Sequence, residues 1–186
     1  MSILKSPTAF FEQFDFESAN RKTLIIGTAC LCFGLIGDAL NQFLLTFLAS
    51  HFKAALEMVS LEQIELTRKI AWITLGTSPI TAFCAIYLFA GALHITLKAF
   101  AQSAPHELRY ESTLHLAALC QIPMVFTIIP LLGSLIASIW ALILLIKGLK
   151  QAYGISAWLA FICSILPALL IKFCWGSALQ LLALSL

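Results

Sequence analysis

The chain of 186 residues is 61% apolar and only 11% charged, whereas soluble domains are nearer half apolar and a quarter charged. A water-soluble protein of this size could not bury that much apolar surface, so lipid is the expected solvent. The formal net charge of +2 is too small to indicate a nucleic-acid-binding protein.

Five apolar runs follow one another along the chain, and a bilayer core needs roughly 20 apolar residues per helix. The third and fourth runs are short, and Pro130 leaves almost no loop between them, which predicts a tight helical hairpin. The fifth run is interrupted by Pro167 and Lys172 and is long enough to tilt. The sequence therefore predicts an all-α, polytopic membrane bundle of about five transmembrane helices. The predicted spans are about 24–48, 70–97, 113–129, 131–146 and 157–184.

The N-terminal residues 1–23 form a tail in which Phe10, Phe11 and Phe14 alternate with acidic residues. Two arrangements fit this pattern: an amphipathic helix lying in the membrane interface, or a tail packed against the helix bundle. Residues 24–186 then make one membrane domain.

Two polar segments separate the predicted spans. Residues 49–69 mix charged and apolar side chains, which indicates a surface-lying helix. Lys147 closes the fourth span, and residues 148–156 are expected to be a short turn.

The Lys and Arg residues between the spans orient the bundle, because cytoplasmic loops carry an excess of positive charge. The tail and the second-to-third and fourth-to-fifth connections carry more of them than the first-to-second and third-to-fourth connections. This bias predicts a cytoplasmic N-terminus and, for an odd number of spans, an external C-terminus. The first set is Lys5, Arg21, Lys22, Lys98, Arg109, Lys147 and Lys150, against Lys53, Arg68 and Lys69.

Asp38 is the most unusual residue of the first span, where Asn41 lies on nearly the same helical face. A carboxylate within a membrane must be paired, neutral or exposed to water. At roughly 1.5 Å per residue, Asp38 and Lys172 lie about 21 Å and about 22 Å into their spans. Their depths match, so the two side chains are candidates for an ion pair or a shared polar pocket. The alternative is that Lys172 extends to the interface and Asp38 bonds to a hydroxyl of a neighbouring span.

Small residues and prolines are the remaining features of the spans. Small residues at four-residue spacing let membrane helices approach closely, either within one chain or between chains. Prolines interrupt helices, and polar side chains beside them, such as Gln121, usually satisfy the carbonyl that the proline frees. The predicted packing residues are Gly34, Gly37, Gly133, Ala137 and Ala141, and the predicted kinks are Pro79, Pro123, Pro130 and Pro167.

Signals for an enzyme, a metal or a cofactor are absent from the sequence. The six cysteines lie in apolar runs rather than in clustered polar segments, which indicates packing residues. His106-Glu107 resembles the start of a zinc-protease motif, but the second histidine is missing. We therefore expect no catalytic residues, no metal site and no cofactor.

Residues 110–170 resemble the second half of the Yip domain, the domain of the Ypt/Rab-interacting protein family. The resemblance is carried by Pro130-Leu131-Leu132-Gly133 and by the stretch from Gly148-Leu149-Lys150 to Gly154-Ile155-Ser156. Ser6-Pro7 followed by Phe10-Phe11 is similar to the start of the family. The resemblance implies five spans with a cytoplasmic N-terminus. Eukaryotic relatives bind Rab-type GTPases through long N-terminal regions, and the short tail of this chain instead favours a bacterial inner-membrane member.

Two functions are therefore expected from different classes. The first is a non-enzymatic scaffold that organises the membrane or binds other membrane proteins, or associates with itself. The second is a small transporter or channel component that uses a polar site around Asp38. A polar cavity reaching Asp38 would favour transport, whereas a dry, packed bundle would favour the scaffold.

Overall fold

The computed structural model describes residues 6–14, 21–51, 61–101, 105, 107–130, 132–169 and 171. All regular structure within these residues is helical, which confirms the predicted all-α class. Three of the described helices are long and apolar enough to cross a membrane, over Arg21–Ala49, Glu62–Phe100 and Gly133–Tyr153. The elements are α1 Pro7–Gln13, α2 Arg21–His51, α3 Leu61–Phe100, α4 Tyr110–Leu119, a 3₁₀ helix Ile122–Ile128, α5 Gly133–Tyr153 and α6 Ala157–Leu169.

Helix α3 has 40 residues and is therefore about 60 Å long. Residues 61–69, predicted as part of a separate surface helix, instead continue α3 without a break. That prediction was wrong because charge alone does not end a helix, and this segment contains neither glycine nor proline. Glu62 in the first turn also suits the positive end of the helix dipole.

The third predicted span is not one α-helix. The chain leaves α-helical geometry at Cys120 and continues as the 3₁₀ helix, in which Met124 N–H bonds to Gln121 O at 2.9 Å. Pro123 stands at the start of the 3₁₀ helix and has no N–H to offer the carbonyl of Leu119. We call α4 and the 3₁₀ helix together the third crossing. Ten α-helical residues and seven 3₁₀ residues extend about 29 Å, close to the thickness of a hydrocarbon core.

Helix α5 continues beyond Lys147 to Tyr153, so the turn predicted at residues 148–156 was wrong. A lysine marks the exit from the membrane, but it is a good helix former and does not end the helix. The helix ends at Gly154, which has a left-handed φ of 64° and whose N–H bonds to Lys150 O at 3.0 Å. This is the usual glycine cap of a helix C-terminus.

The third crossing lies at the centre of the bundle. Seven of the ten residues of α4 are buried, and α2, α3 and α5 all contact the third crossing. The core is therefore built around the least regular element, and the longer helices lie outside it.

The described part of the N-terminal tail packs against α5. Phe11 is 1% exposed and belongs to the same buried cluster as Leu116 and Leu149. Lys147 donates from Nζ to Thr8 Oγ1 over 3.1 Å. Helix α1 therefore covers the end of the bundle at which α5 terminates.

Replacing Phe11 by Ala should release α1 from the bundle, because it removes the aromatic ring that fills this site at a cost of about 3 kcal/mol. We expect faster proteolytic cleavage within residues 1–20 of the purified protein. Phe100→Ala is the matched control, since Phe100 is 55% exposed. Equal cleavage rates in both variants would contradict the packing described for α1.

Candidate functional site

The predicted packing glycines of α2 lie directly against the third crossing. A Cβ atom added to Gly34 would lie 2.8 Å from Met124 Cβ, and one added to Gly37 would lie 2.6 Å from Thr127 Oγ1. Real Cβ contacts stay above 3.0 Å, so α2 could not approach this closely with any larger residue. Both glycines are used for packing within the chain.

A polar contact joins the same two elements. Asn41 donates from Nδ2 to Thr127 O over 2.7 Å. The Thr127 hydroxyl lies 2.9 Å from Gly34 O and 2.8 Å from Met124 O. The Asn41 bond satisfies a carbonyl of the irregular segment that an uninterrupted α-helix would have paired internally. Asn41 therefore binds the irregular backbone of the third crossing.

Gln121 stands where α4 gives way to the 3₁₀ helix. Its backbone N–H bonds to Ala118 O at 3.1 Å, which leaves the carbonyl of Ala117 without its α-helical donor. The Gln121 side chain donates from Nε2 to that carbonyl over 3.3 Å. The side chain thus replaces the missing backbone bond.

The hydroxyls around Pro79 are used in a similar way within α3, which continues through the proline. Pro79 cannot donate to Leu75 O, and the buried Ser78 hydroxyl lies 3.1 Å from that carbonyl. Thr77 donates to Ile73 O over 2.7 Å. These donors are already committed to backbone carbonyls of α3.

Asp38 is half-buried on α2, one residue after the glycine that contacts Thr127. Lys172 lies outside the described residues, so the pairing of Asp38 with Lys172 stays a prediction. Asp38 does not line the cavity of about 410 Å³ that lies between the helices.

Small residues of α5 lie in two settings. Gly133 packs against the carbonyl of Phe126, and Ala137 is fully buried. Ala141, one turn further along, lines the cavity of about 410 Å³ instead.

Pro130 lies between the 3₁₀ helix and α5, and its carbonyl accepts a bond of 2.8 Å from Leu132 N–H. Pro167 is buried within α6.

A second polar cluster joins three helices at the end covered by α1. Tyr153 of α5 is 1% exposed, and its hydroxyl lies 2.6 Å from Thr113 Oγ1. His94 Nδ1 is 3.3 Å from the same threonine oxygen, and both hydroxyls lie near Arg109 O. The cluster connects the C-terminal ends of α3 and α5 to the N-terminus of α4.

Most of the exposed basic residues in the described part of the chain lie at this end. Gly27, Gly34 and Gly37 meet successive residues of the third crossing, so α2 runs parallel to that crossing. The N-termini of α2 and α4 therefore lie at the end where α3 and α5 terminate. We call this end of the bundle the basic end, and it carries the exposed Arg21, Lys22, Lys98, Arg109, Lys147 and Lys150.

A cavity of about 410 Å³ lies between α2, α3, the third crossing, α5 and α6. Its wall is mostly aliphatic and aromatic, with Leu35, Phe89 and Leu145 among the lining residues. Gln121 and Thr81 are among the few polar residues there. Neither Asp38 nor Asn41 belongs to the lining.

Within the part of the chain that the structure describes, no group of three His, Cys, Asp or Glu residues is placed to hold a metal ion. The cysteines there have free thiols, and Cys120 and Cys163 are buried in the core.

Comparison with known families decides the class of this protein. The family model described as the Yip1 domain matches residues 1–178. The chain belongs to the Yip1 domain family. The resemblance seen in the sequence is thereby confirmed over nearly the whole chain, and a Yip1 domain protein with these apolar helices is a multi-pass membrane protein. No curated protein and no solved structure matches the chain.

The sequence did not indicate the roles of Thr127, Thr113 and Tyr153, which bring the elements of this Yip1 domain together. Each is a single polar residue without a repeating neighbour. The available signal was position: Thr127 lies in the proline-bounded segment, and Tyr153 directly precedes the capping Gly154.

Replacing Gly37 by Ala should destabilise the protein by about 1–3 kcal/mol, because the new methyl group overlaps Thr127 and Ile128. The matched control is Gly76→Ala, since nothing lies within 4 Å of a Cβ at Gly76. We expect the control to change stability by less than about 0.5 kcal/mol. Detergent-induced unfolding of the purified proteins measures both, and equal losses would exclude the tight approach of α2.

Replacing Thr127 by Val should cost about 1 kcal/mol, since it removes the hydroxyl bonded to the backbone of α2. Thr77→Val is the control, because the exposed Thr77 hydroxyl bonds only within its own helix. The same unfolding assay tests both variants. A loss confined to Thr77→Val would contradict the role assigned to Thr127.

Proposed function

We propose that this Yip1 domain protein is a non-enzymatic membrane scaffold that organises the bilayer or binds other membrane proteins. The observation that carries the proposal is the lining of the cavity of about 410 Å³, which is mostly apolar and includes neither Asp38 nor Asn41. A solute path would need polar groups along its wall. Here the hydroxyl of Ser78 and the amide of Gln121, beside prolines, bond to backbone carbonyls instead.

The basic end is the surface best suited to contact a partner. Lys147 and Lys150 are exposed there on α5, beside the packed helix α1. Clustered Lys and Arg residues attract acidic protein segments and anionic lipid headgroups. The cluster of His94, Thr113 and Tyr153 holds three helix ends in fixed positions beneath this surface.

We propose that self-association uses surfaces other than the predicted packing glycines. Gly34 and Gly37 are occupied by the third crossing, and Gly133 by Phe126. The exposed side chains of α2 and α3, such as Phe33 and Phe83, remain available for contact with lipid or with a second membrane protein.

The collection of basic residues at one end supports a cytoplasmic N-terminus and basic end by the positive-inside rule. We propose the inner membrane of a bacterium as the location of this multi-pass Yip1 domain protein.

A small transporter or channel component is the second candidate. It is favoured by one observation: Gln42 Oε1 is buried, one turn after Asp38, and has no hydrogen-bond partner among the described residues. Unsatisfied polar groups in a membrane often mark a functional polar site. The pairing of Asp38 with Lys172 would belong to this polar site.

Crosslinking in native membranes followed by purification of the tagged chain tests the scaffold. We expect a reproducible partner whose yield falls when Lys147 and Lys150 are both changed to Glu, because the charge that attracts it is reversed. Lys69→Glu is the control, since Lys69 is an exposed residue of the N-terminal part of α3, at the opposite end of the bundle. Equal yields from both variants would remove the basic end from the proposal.

Ion flux into proteoliposomes separates the two candidates. A scaffold should give no flux above protein-free vesicles, and Asp38→Ala should alter only stability or assembly. A flux that the wild-type protein supports and Asp38→Ala abolishes would establish the transporter and contradict the scaffold.

A further inference from the structure

The cavity of about 410 Å³ between α2, α3, the third crossing, α5 and α6 reaches from the core of the bundle to its surface. Cys120 and Leu145 form part of its inner wall and are 2% and 4% exposed. Leu88 lines its outer part and is 57% exposed, and Ser138 and Ala168 are also exposed lining residues. These outer residues lie on apolar helices of a membrane protein, so the cavity is continuous with the surface that faces lipid.

An empty apolar cavity of this size is unfavourable, because the cost of a cavity rises with its volume. Water is a poor occupant, since cavities lined by apolar side chains stay dry. The described residues leave this space open, and an occupant that reaches it from the bilayer would be apolar.

The cavity is too small to enclose a helix of a partner protein. An α-helix with its side chains is about 10 Å across, so about 410 Å³ would hold only about one turn. A methylene group is similar in size to a water molecule, whose share of liquid volume is about 30 Å³. The cavity has room for about a dozen methylene groups of a flexible hydrocarbon chain.

The polar groups of the described wall already donate to neighbouring groups of their own segments. Gln121 Nε2 donates to Ala117 O over 3.3 Å. Ser164 donates to Ala160 O over 2.6 Å, and Ser138 donates to Ser134 O over 2.7 Å. The Thr81 hydroxyl lies 3.3 Å from Thr77 Oγ1. Since these donors are already used within their own segments, an occupant is held by dispersion contacts and exclusion from the lipid phase.

We propose that the cavity binds one acyl chain of a bilayer phospholipid, which enters past Leu88 while its headgroup stays outside. The bound chain reaches Cys120 and Leu145 at the inner wall. This site follows from the cavity and the membrane location, and it does not depend on whether the protein acts as a scaffold.

Photocrosslinking in nanodiscs tests the site on the full chain. The nanodiscs contain a phosphatidylethanolamine that carries a diazirine near the middle of one acyl chain. After illumination, peptide mass spectrometry should find lipid adducts on the buried Cys120 or Leu145 in addition to those on lipid-exposed residues. Buried residues can react only with a chain that lies inside the cavity.

A matched pair of substitutions on α3 provides the control. Ala85 lines the cavity, and its neighbour Cys84 is exposed and does not. Ala85→Phe should lower the yield of adducts on the inner wall several-fold, whereas Cys84→Phe should leave that yield unchanged. If Ala85→Phe does not fold, Ala141→Phe fills the same cavity from α5.

Two results would overturn the proposal. Adducts confined to exposed residues would show that no acyl chain enters. Inner-wall adducts that persist equally in Ala85→Phe and Cys84→Phe would show that the labelled chain does not occupy this cavity.

A diazirine fatty acid without a headgroup serves as the second probe. Efficient inner-wall labelling by the fatty acid alone would contradict the phospholipid and assign a free fatty acid to the cavity.

Discussion

The backbone of the third crossing imposes the constraint on which the rest of the bundle depends. Every N–H and C=O group inside a bilayer needs a partner within the protein, and this segment abandons α-helical pairing at Gln121, whose N–H bonds to Ala118 O. The 3₁₀ geometry that follows has poorer hydrogen bonds than an α-helix. It persists because neighbouring side chains supply the missing contacts, notably Asn41 and Gln121.

This constraint explains why the glycines occur where they do. A donor as short as Asn41 reaches Thr127 O only if α2 lies almost in contact with the third crossing. Gly34 and Gly37 permit that distance, and Gly133 permits a similar approach at the start of α5. The irregular segment thus packs against helices whose small residues face it, with Ile122, Pro123 and Thr127 buried while Val125 and Ile128 stay exposed.

The helices could be predicted from the sequence, and most of the contacts between them could not. Apolar runs identify α2 and α3 because bilayer thickness sets their length. The predicted start of α3 and the predicted end of α5 were both misplaced. Lys69 and Lys147 indicate contact with water, but a helix ends at residues such as Gly154. The interruption near Pro123 followed from its missing N–H. The contacts of Thr127 with Asn41 and Gly34 could not be predicted, because residues 86 and 93 positions apart in the chain leave no local pattern. The cavity was also unpredictable, since it arises from how five elements fit together.

The unequal lengths of the crossings have a consequence for the surrounding lipid. The apolar part of α3, residues 70–97, is about 42 Å long, while the third crossing extends about 29 Å. A bilayer of uniform thickness cannot match both without tilting α3 or changing its own thickness nearby. Hydrophobic mismatch is therefore built into a single chain, and the bilayer around α3 and the bilayer around the third crossing meet apolar segments of different length.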